Sequence, residues 1–204
     1  LVTVFDMFRS FFRTRLTREQ KIALVLYEQI VTAARQPVLY AKAGIPDTLE
    51  GRVESIALHT FLLFRRMTGR PDWDVIGGAL SDEIVADFDR SLREMGVGDM
   101  SIGKKVKKLA QLFFGRFDAY WGAINGSDGA DDLETVLKWG VFQGQDIDSA
   151  RLSAMGEYFD KQSAHLFTQT EKNILVGRVT FTSPDPVFAA LPPVRLSTDV
   201  EEPA

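Results

Sequence analysis

Any chemistry in this chain must come from carboxylates, two histidines or clustered cations, because it contains no cysteine. Disulfides, thiolate metal sites and cysteine nucleophiles are thereby excluded. His59 and His165 lie more than a hundred residues apart, and His59 lacks the helical His/Glu neighbours of a metal site. It reads as a hydrogen-bonded histidine at a helix interface. Asp47, Glu50 and Glu54 gather near the start of one helical pattern, and general acid–base catalysis uses carboxylates placed close together. In a first helical turn such groups serve the cap and the dipole instead. The chain has no glycine-rich phosphate loop, no G-x-S-x-G elbow and no metal-spaced His/Asp/Glu set. Gly96-Val97-Gly98-Asp99 is a turn and not a nucleotide loop. The reading is a non-enzyme, with no catalytic residue, cofactor or metal site to name.

Clustered positive charge is the more informative signal. A net charge of −4 and a pI near 5.3 argue against general nucleic-acid binding, which favours a basic surplus. Basic residues are instead concentrated at Arg9 to Arg18 and at Lys104 to Lys108. Lys104, Lys105, Lys107 and Lys108 crowd the first turns of a helical pattern, where the dipole is positive and acids are preferred. At about 100° per residue they fan opposite Ile102, Val106, Leu109, Phe113, Phe117 and Tyr120. All four lysines can therefore be solvated while the aromatic face packs. Either the face simply tolerates a small dipole penalty, or it meets an anionic partner.

The second basic cluster lies on LVTVFDMFRSFFRTRL, where Leu1, Val4, Phe5, Phe8, Phe11, Phe12 and Leu16 have helical spacing. Arg9, Arg13 and Arg15 fall off that stripe. Such an arm can lie in a membrane interface with its aromatics immersed, or dock its Phe stripe on the body of the protein. It is not a signal peptide, since no uninterrupted apolar core or small-residue cleavage site is present.

These groups need a scaffold, and the patterning is helical throughout. At 204 residues, 45% hydrophobic and 25% charged, the chain suits one soluble-type domain able to bury about 70% of its unfolded surface. No run approaches the roughly 18 apolar residues of a membrane span. Thr17 with Gln20 forms a capping-box pattern opening a helix to Arg35. Pro37 opens a short helix that Gly44 and Pro46 stop. Asp47 or Thr48 caps a long helix to Met67, with a buried stripe of Leu49, Val53, Ile56, Ala57, Phe61, Phe64 and Met67. Pro71 and Asp72 start another running to Gly96, with a possible break at Gly77-Gly78. Asp99 or Ser101 can satisfy the first amides of the lysine-bearing helix, which lasts to Asn125-Gly126. Asp131 or Asp132 caps a shorter helix, and Asp148 or Ser149 opens a final long one with Leu152, Met155, Phe159, Ala164, Leu166 and Phe167 buried. From Glu171 a last turn gives way to an extended piece and a proline-bearing acidic tail. The fold class is all-α, a single domain of about seven or eight helices with an amphipathic N-terminal helix and an extended C-terminal tail. Its parts are an arm at 1–16, a helical domain at 17–183 and the tail at 184–204.

Two blocks carry a resemblance. The first is RQPVLYAKAGIPDTLEGRVESIALHTFLLFRR at 35–66, and the second LREMGVGDMSIGKKVKKLAQLFFGRFDAY at 92–120. Together they resemble the ubiquinol-cytochrome c chaperone family, over about residues 20 to 175. Val53 departs from the pattern, which has an aromatic residue after the G-R pair. The resemblance implies an all-helical chaperone that engages newly made cytochrome b during assembly of respiratory complex III. Mitochondrial relatives work with a small partner protein at the ribosome's tunnel exit. The short N-terminal extension looks like the bacterial form, placed in the cytoplasm and peripheral at the inner face of the cytoplasmic membrane; a eukaryotic form would sit on the mitochondrial matrix side. Under this reading Lys104, Lys105, Lys107, Lys108 and Arg116 form a partner surface without sequence-specific nucleic-acid binding, and Phe5, Phe8, Phe11, Phe12, Arg9 and Arg13 contact membrane or client. Tyr40, Asp47, Arg52, His59, Arg93 and Glu94 match family motifs and are expected to be structural. Arg52 with Asp47, and Arg93 or Glu94 with the lysine-helix turn, are expected as buried ion pairs. The alternative is a lipid or quinone carrier whose many Phe residues line a cavity.

Overall fold

The computed structural model describes residues 16–194, so the arm residues Phe5, Phe8, Arg9, Phe11, Phe12 and Arg13 lie outside the described residues. Among the described residues the protein is all-α, with nine helices and no strand. They are α1 (Arg18–Ala34), α2 (Pro37–Ala41), α3 (Leu49–Met67), α4 (Trp73–Glu94), α5 (Asp99–Asn125), α6 (Leu133–Trp139), α7 (Ser149–Thr168), α8 (Glu171–Ile174) and α9 (Asp185–Phe188).

Local sequence explains most of the helix ends. Thr17 and Gln20 form the full reciprocal capping box, and α2 begins at Pro37 with its missing amide donor harmlessly placed. Thr48, Asp132 and Asp148 accept backbone amides at the starts of α3, α6 and α7. Helix α4 runs unbroken through Gly77-Gly78. It ends at Gly96, whose φ of 78° lets the Val97 amide return to the Leu92 carbonyl at 3.0 Å. Helix α5 differs from the expectation at its start. Its cap is Gly98, which offers no side chain; Asp99 pairs with Arg93, and the Ser101 hydroxyl donates to the Gly98 carbonyl.

The core is built around α3, which packs on α1, α5 and α7. Fourteen of its 19 residues are buried, so it is enclosed all round and not along one stripe. Leu58, Leu62 and Leu63 join the expected Val53, Ile56, Ala57, Phe61 and Met67, whereas Leu49 and Phe64 are only half-buried. Enclosing polar residues requires internal partners. Thr60 donates to the Ile56 carbonyl at 2.8 Å, and Ser55 donates to the Ala34 carbonyl at 2.9 Å. Close packing also reaches the start of α3, where a Cβ at Gly51 would lie 2.0 Å from the Pro46 carbonyl oxygen. Any larger residue there would push the Ile45-Pro46-Asp47 turn away.

Helix α7 corrects two expectations. Ala164 and Phe167, placed from sequence on the buried stripe, are exposed, while Tyr158 and Gln162 take buried positions. The Phe167 ring instead lies under Arg65 and Arg66 at 5.5 and 5.6 Å. After α8 the chain is extended and held by glutamine side chains. Gln29 brackets Gly177 and Val179, Gln169 brackets Thr180, and Gln162 brackets Thr182, each donating to a carbonyl and accepting an amide. Residues 184–194, assigned from sequence to the tail, hold to the body: Phe188 is buried against Tyr158 and the Val194 amide donates to the Ala41 carbonyl at 2.7 Å.

Candidate functional site

The N-terminal part of α5 leaves its cations free. Lys104, Lys105, Lys107 and Lys108 are exposed, and none pairs with another described residue. On the same outer surface Met100 is fully exposed and Phe114 is 40% exposed, while Met95 at the end of α4 is 64% exposed. The opposite face buries Ile102, Leu109 and Phe113. Arg93 ties the turn below the lysines together, reaching Asp89 at 2.7 Å and Asp99 at 2.6 Å. This pair network is exposed, not buried as expected, and Glu94 is exposed outside it. Such pairs are worth roughly 0–1 kcal/mol, so they orient the turn without anchoring the fold.

Arg116 does not belong to this free surface. Its Nε donates to both carboxylate oxygens of Glu54, at 2.8 and 2.7 Å, and Glu54 is 1% exposed. Burial raises the Glu54 pKa, and the guanidinium opposes that shift. Glu54 is therefore neither an exposed dipole partner nor a candidate acid for bulk substrate. It joins α3 to α5 in an ion pair whose remaining donor reaches toward the Trp139 carbonyl at 3.4 Å. An arginine suits such a pair better than a lysine, but the partner itself is supplied only by the approach of α3.

Family-motif residues from the first block converge elsewhere. Tyr40, Gly44, Ile45, Pro46, Asp47 and Arg52 line an open cleft of about 870 Å³, joined by Arg35, Gln145 and the Pro193-Val194 segment. Tyr40 donates to the Ala34 carbonyl at 2.9 Å, which fixes one wall. Arg52 and Asp47 pair at 2.8 Å with 53% and 63% exposure, again a surface pair and not a buried one. Behind the lining, Arg151 donates to the Lys42 and Pro192 carbonyls at 3.0 and 2.6 Å and so ties the segment before Pro193 to the end of α2. Arg35 and Gln145 were not singled out from sequence, because distant segments must meet before they share a site.

His59 sits apart from this cleft, buried between α3 and α7. Its Nδ1 lies 2.7 Å from the Ser55 carbonyl and its Nε2 2.8 Å from the Tyr158 hydroxyl. A carbonyl can only accept, so Nδ1 carries the proton and Nε2 accepts from Tyr158. Burial lowers the His59 pKa to about 4, which keeps the ring neutral and suits a structural link. No group of three or more potential metal ligands occurs among the described residues, and no described helix is long and apolar enough to cross a membrane. The aromatic residues pack on one another: Phe61 meets Phe117, Tyr120, Trp121 and Phe159 at centroid distances of 5.0 to 6.3 Å.

Comparison with known proteins supplies a family. The chain is similar to the crystal structure of the Cbp3 homolog from Brucella abortus, with a TM-score of 0.70 and 32% sequence identity. The alignment covers 90% of this chain and 98% of that one. The comparison with curated proteins gives no match. The sequence profile described as Ubiquinol-cytochrome C chaperone matches residues 41–181, spanning both motif blocks except residues 35–40. On the extent of that match and the shared fold, this chain belongs to the ubiquinol-cytochrome c chaperone family.

Proposed function

We propose that this protein is a non-catalytic assembly chaperone that holds newly made cytochrome b and promotes assembly of ubiquinol-cytochrome c reductase at the membrane. The observation that carries the reading is the family match across residues 41–181. Its geometry is compatible: Gly44, Ile45, Pro46, Asp47 and Arg52 line an open cleft, and the exposed lysines of α5 form a separate charged surface. Holding a membrane-protein client requires accessible surface for apolar segments and a way to stay near the bilayer. We assign the Phe5, Phe8, Phe11 and Phe12 stripe with Arg9 and Arg13 to client or membrane contact. Lys104, Lys105, Lys107 and Lys108 supply the electrostatic partner surface, from which Arg116 is now removed. The place of action is the cytoplasmic side of the inner membrane, with a small partner protein and the ribosome as further partners.

The carrier alternative asks for an aromatic-lined cavity. The Phe61, Phe117, Tyr120, Trp121 and Phe159 rings contact each other directly, which is the packing of a filled core, so no observation favours it.

The deciding experiment isolates tagged cytochrome b from cells and asks whether this protein comes with it, alongside lipid extraction of the purified chain. Co-isolation, together with loss of assembled complex III when the protein is deleted, is the expected result. Normal complex III in deleted cells would sink the proposal, and a stoichiometric extracted lipid would revive the carrier. Arg52→Glu is expected to weaken co-isolation while the protein stays folded.

A further inference from the structure

We infer that the outer face of α5 is a docking surface for an anionic lipid bilayer, on which the helix lies parallel to the membrane plane. The inference rests on the reading of the α5 lysines as a partner surface and names that partner. Three observations carry it. The first is the order of side chains along the exposed face. Successive helical residues turn by about 100°, so Met100, Lys104, Lys107, Gln111 and Phe114 fall within about 80° of one another. Exposed apolar side chains thus stand at both ends of this stripe, with lysines between them.

The second observation is uncompensated charge. Between Asp99 and Asp118 α5 carries no acidic residue, and Asp99 is engaged by Arg93. The four lysines pair with no other described residue, and they stand at the positive end of a 27-residue helix whose Gly98 cap offers no side chain. Glu94 at the adjoining turn is exposed. The third observation is accessibility and shape. Met100 to Phe114 spans about 21 Å of helix, long enough to place several headgroups under one face. Met95 extends the apolar end at the neighbouring turn.

An anionic bilayer accounts for both kinds of side chain. Lysines meet headgroups, while Met95, Met100 and Phe114 reach the acyl boundary and lose their exposed apolar area. A nucleic acid would use the lysines and leave the methionines in water. The bilayer also explains why four like charges stand at i,i+3 and i,i+4 spacing on one helix, where they repel one another.

The absence of cysteine makes the test direct. The full chain carrying Met100→Cys is labelled with an environment-sensitive fluorophore, and Asp160→Cys on α7 serves as the comparison site. Each is mixed with phosphatidylcholine vesicles, with and without phosphatidylglycerol. A blue shift at position 100 on anionic vesicles alone, with none at position 160, is the expected outcome. Each headgroup-bound lysine contributes about fivefold to partitioning, so Lys104→Glu, Lys107→Glu and Lys108→Glu together are expected to reduce vesicle binding at least about 100-fold. Circular dichroism confirms that the variant remains folded.

Unchanged binding by the triple variant, or no shift at position 100, overturns the inference and moves membrane contact to another part of the chain. A shift on added RNA but not on vesicles overturns it in favour of nucleic acid. The chaperone reading fails separately, by loss of cytochrome b co-isolation or normal complex III without the protein. Triple-variant protein that still co-isolates with cytochrome b but no longer binds vesicles would support both statements independently.

Discussion

The two halves of α5 share a backbone, the first carrying four lysines and the second five aromatic residues with Arg116, and they meet opposite environments. Near its start the helix rests only its Ile102 and Leu109 face on its neighbours and presents four lysines to solvent. Toward its end, Phe113 and Tyr120 are fully buried and Arg116 is spent on Glu54 of α3. The difference lies in what stands opposite. Helix α3 supplies a buried carboxylate and a ring cluster to one half and nothing acidic to the other. One helix thereby serves as a core element at one end and as a presented surface at the other, and a cation's role depends on its neighbours.

That contrast can be broken by substitution, first between two adjacent phenylalanines. Phe113 is fully buried and Phe114 is 40% exposed. Phe113→Ala is expected to cost about 4 kcal/mol in urea unfolding and Phe114→Ala about 1 kcal/mol, since only the first leaves a closed cavity. Similar losses at both sites would show that the outer face is packed as well. The second test concerns the ion pair. Arg116→Ala strands Glu54 without its partner and is expected to cost about 3 kcal/mol, whereas Glu54→Leu with Arg116→Met should cost far less. Equal costs for the single and double variants would mean the pair does not join the helices.

Acid should weaken the buried side selectively. His59, on the helix that receives the second half of α5, is held near a pKa of about 4 against an ordinary 6.5. Between those values the unfolded chain binds the extra proton, so stability is lost as pH falls from 6.5 toward 4, by about 3 kcal/mol over that interval. Urea midpoints measured across this range should fall steeply for the native chain and less for His59→Gln. If the two slopes match, another group governs acid sensitivity.

The smallest effect is the most diagnostic for the exposed half. Lys104→Glu and Lys105→Glu replace like-charged i,i+3 and i,i+4 lysine pairs by attractive ones, so each is expected to raise stability by about 0.3 kcal/mol. A gain in melting temperature accompanied by loss of partner association would show that these lysines are kept at a cost to the fold. A clear loss of stability would mean they make contacts that their exposure does not suggest.

Much of this scaffold was legible in the residues. The capping box at Thr17, the caps at Asp132 and Asp148, and the stop at Gly96 are local chemistry, decided within about one helical turn. The lysine fan followed from the 3.6-residue period alone. Errors cluster where a helix touches more than one neighbour. Helix α3 looked one-sided because its serine, threonine, histidine and glutamate interrupt the apolar pattern, yet each finds an internal partner and all are buried. Phe167 looked buried because it follows Leu166, but α7 turns that ring outward under two arginines. The first-block motif was visible, whereas the cleft it lines depends on Gln145 and Pro193 arriving from far along the chain.

By itself the sequence determined an all-helical chain, most of its helix ends, the family blocks and the positions of its cations, because these depend on neighbours within a few residues. Tertiary structure decided which cations are free. Lys104 and Arg116 lie three turns apart on one helix, and only the approach of Glu54, 62 residues before Arg116, turns one into a core partner and leaves the other facing out. Burial and pairing are properties of what packs opposite a residue, and in this protein that information sits on another helix.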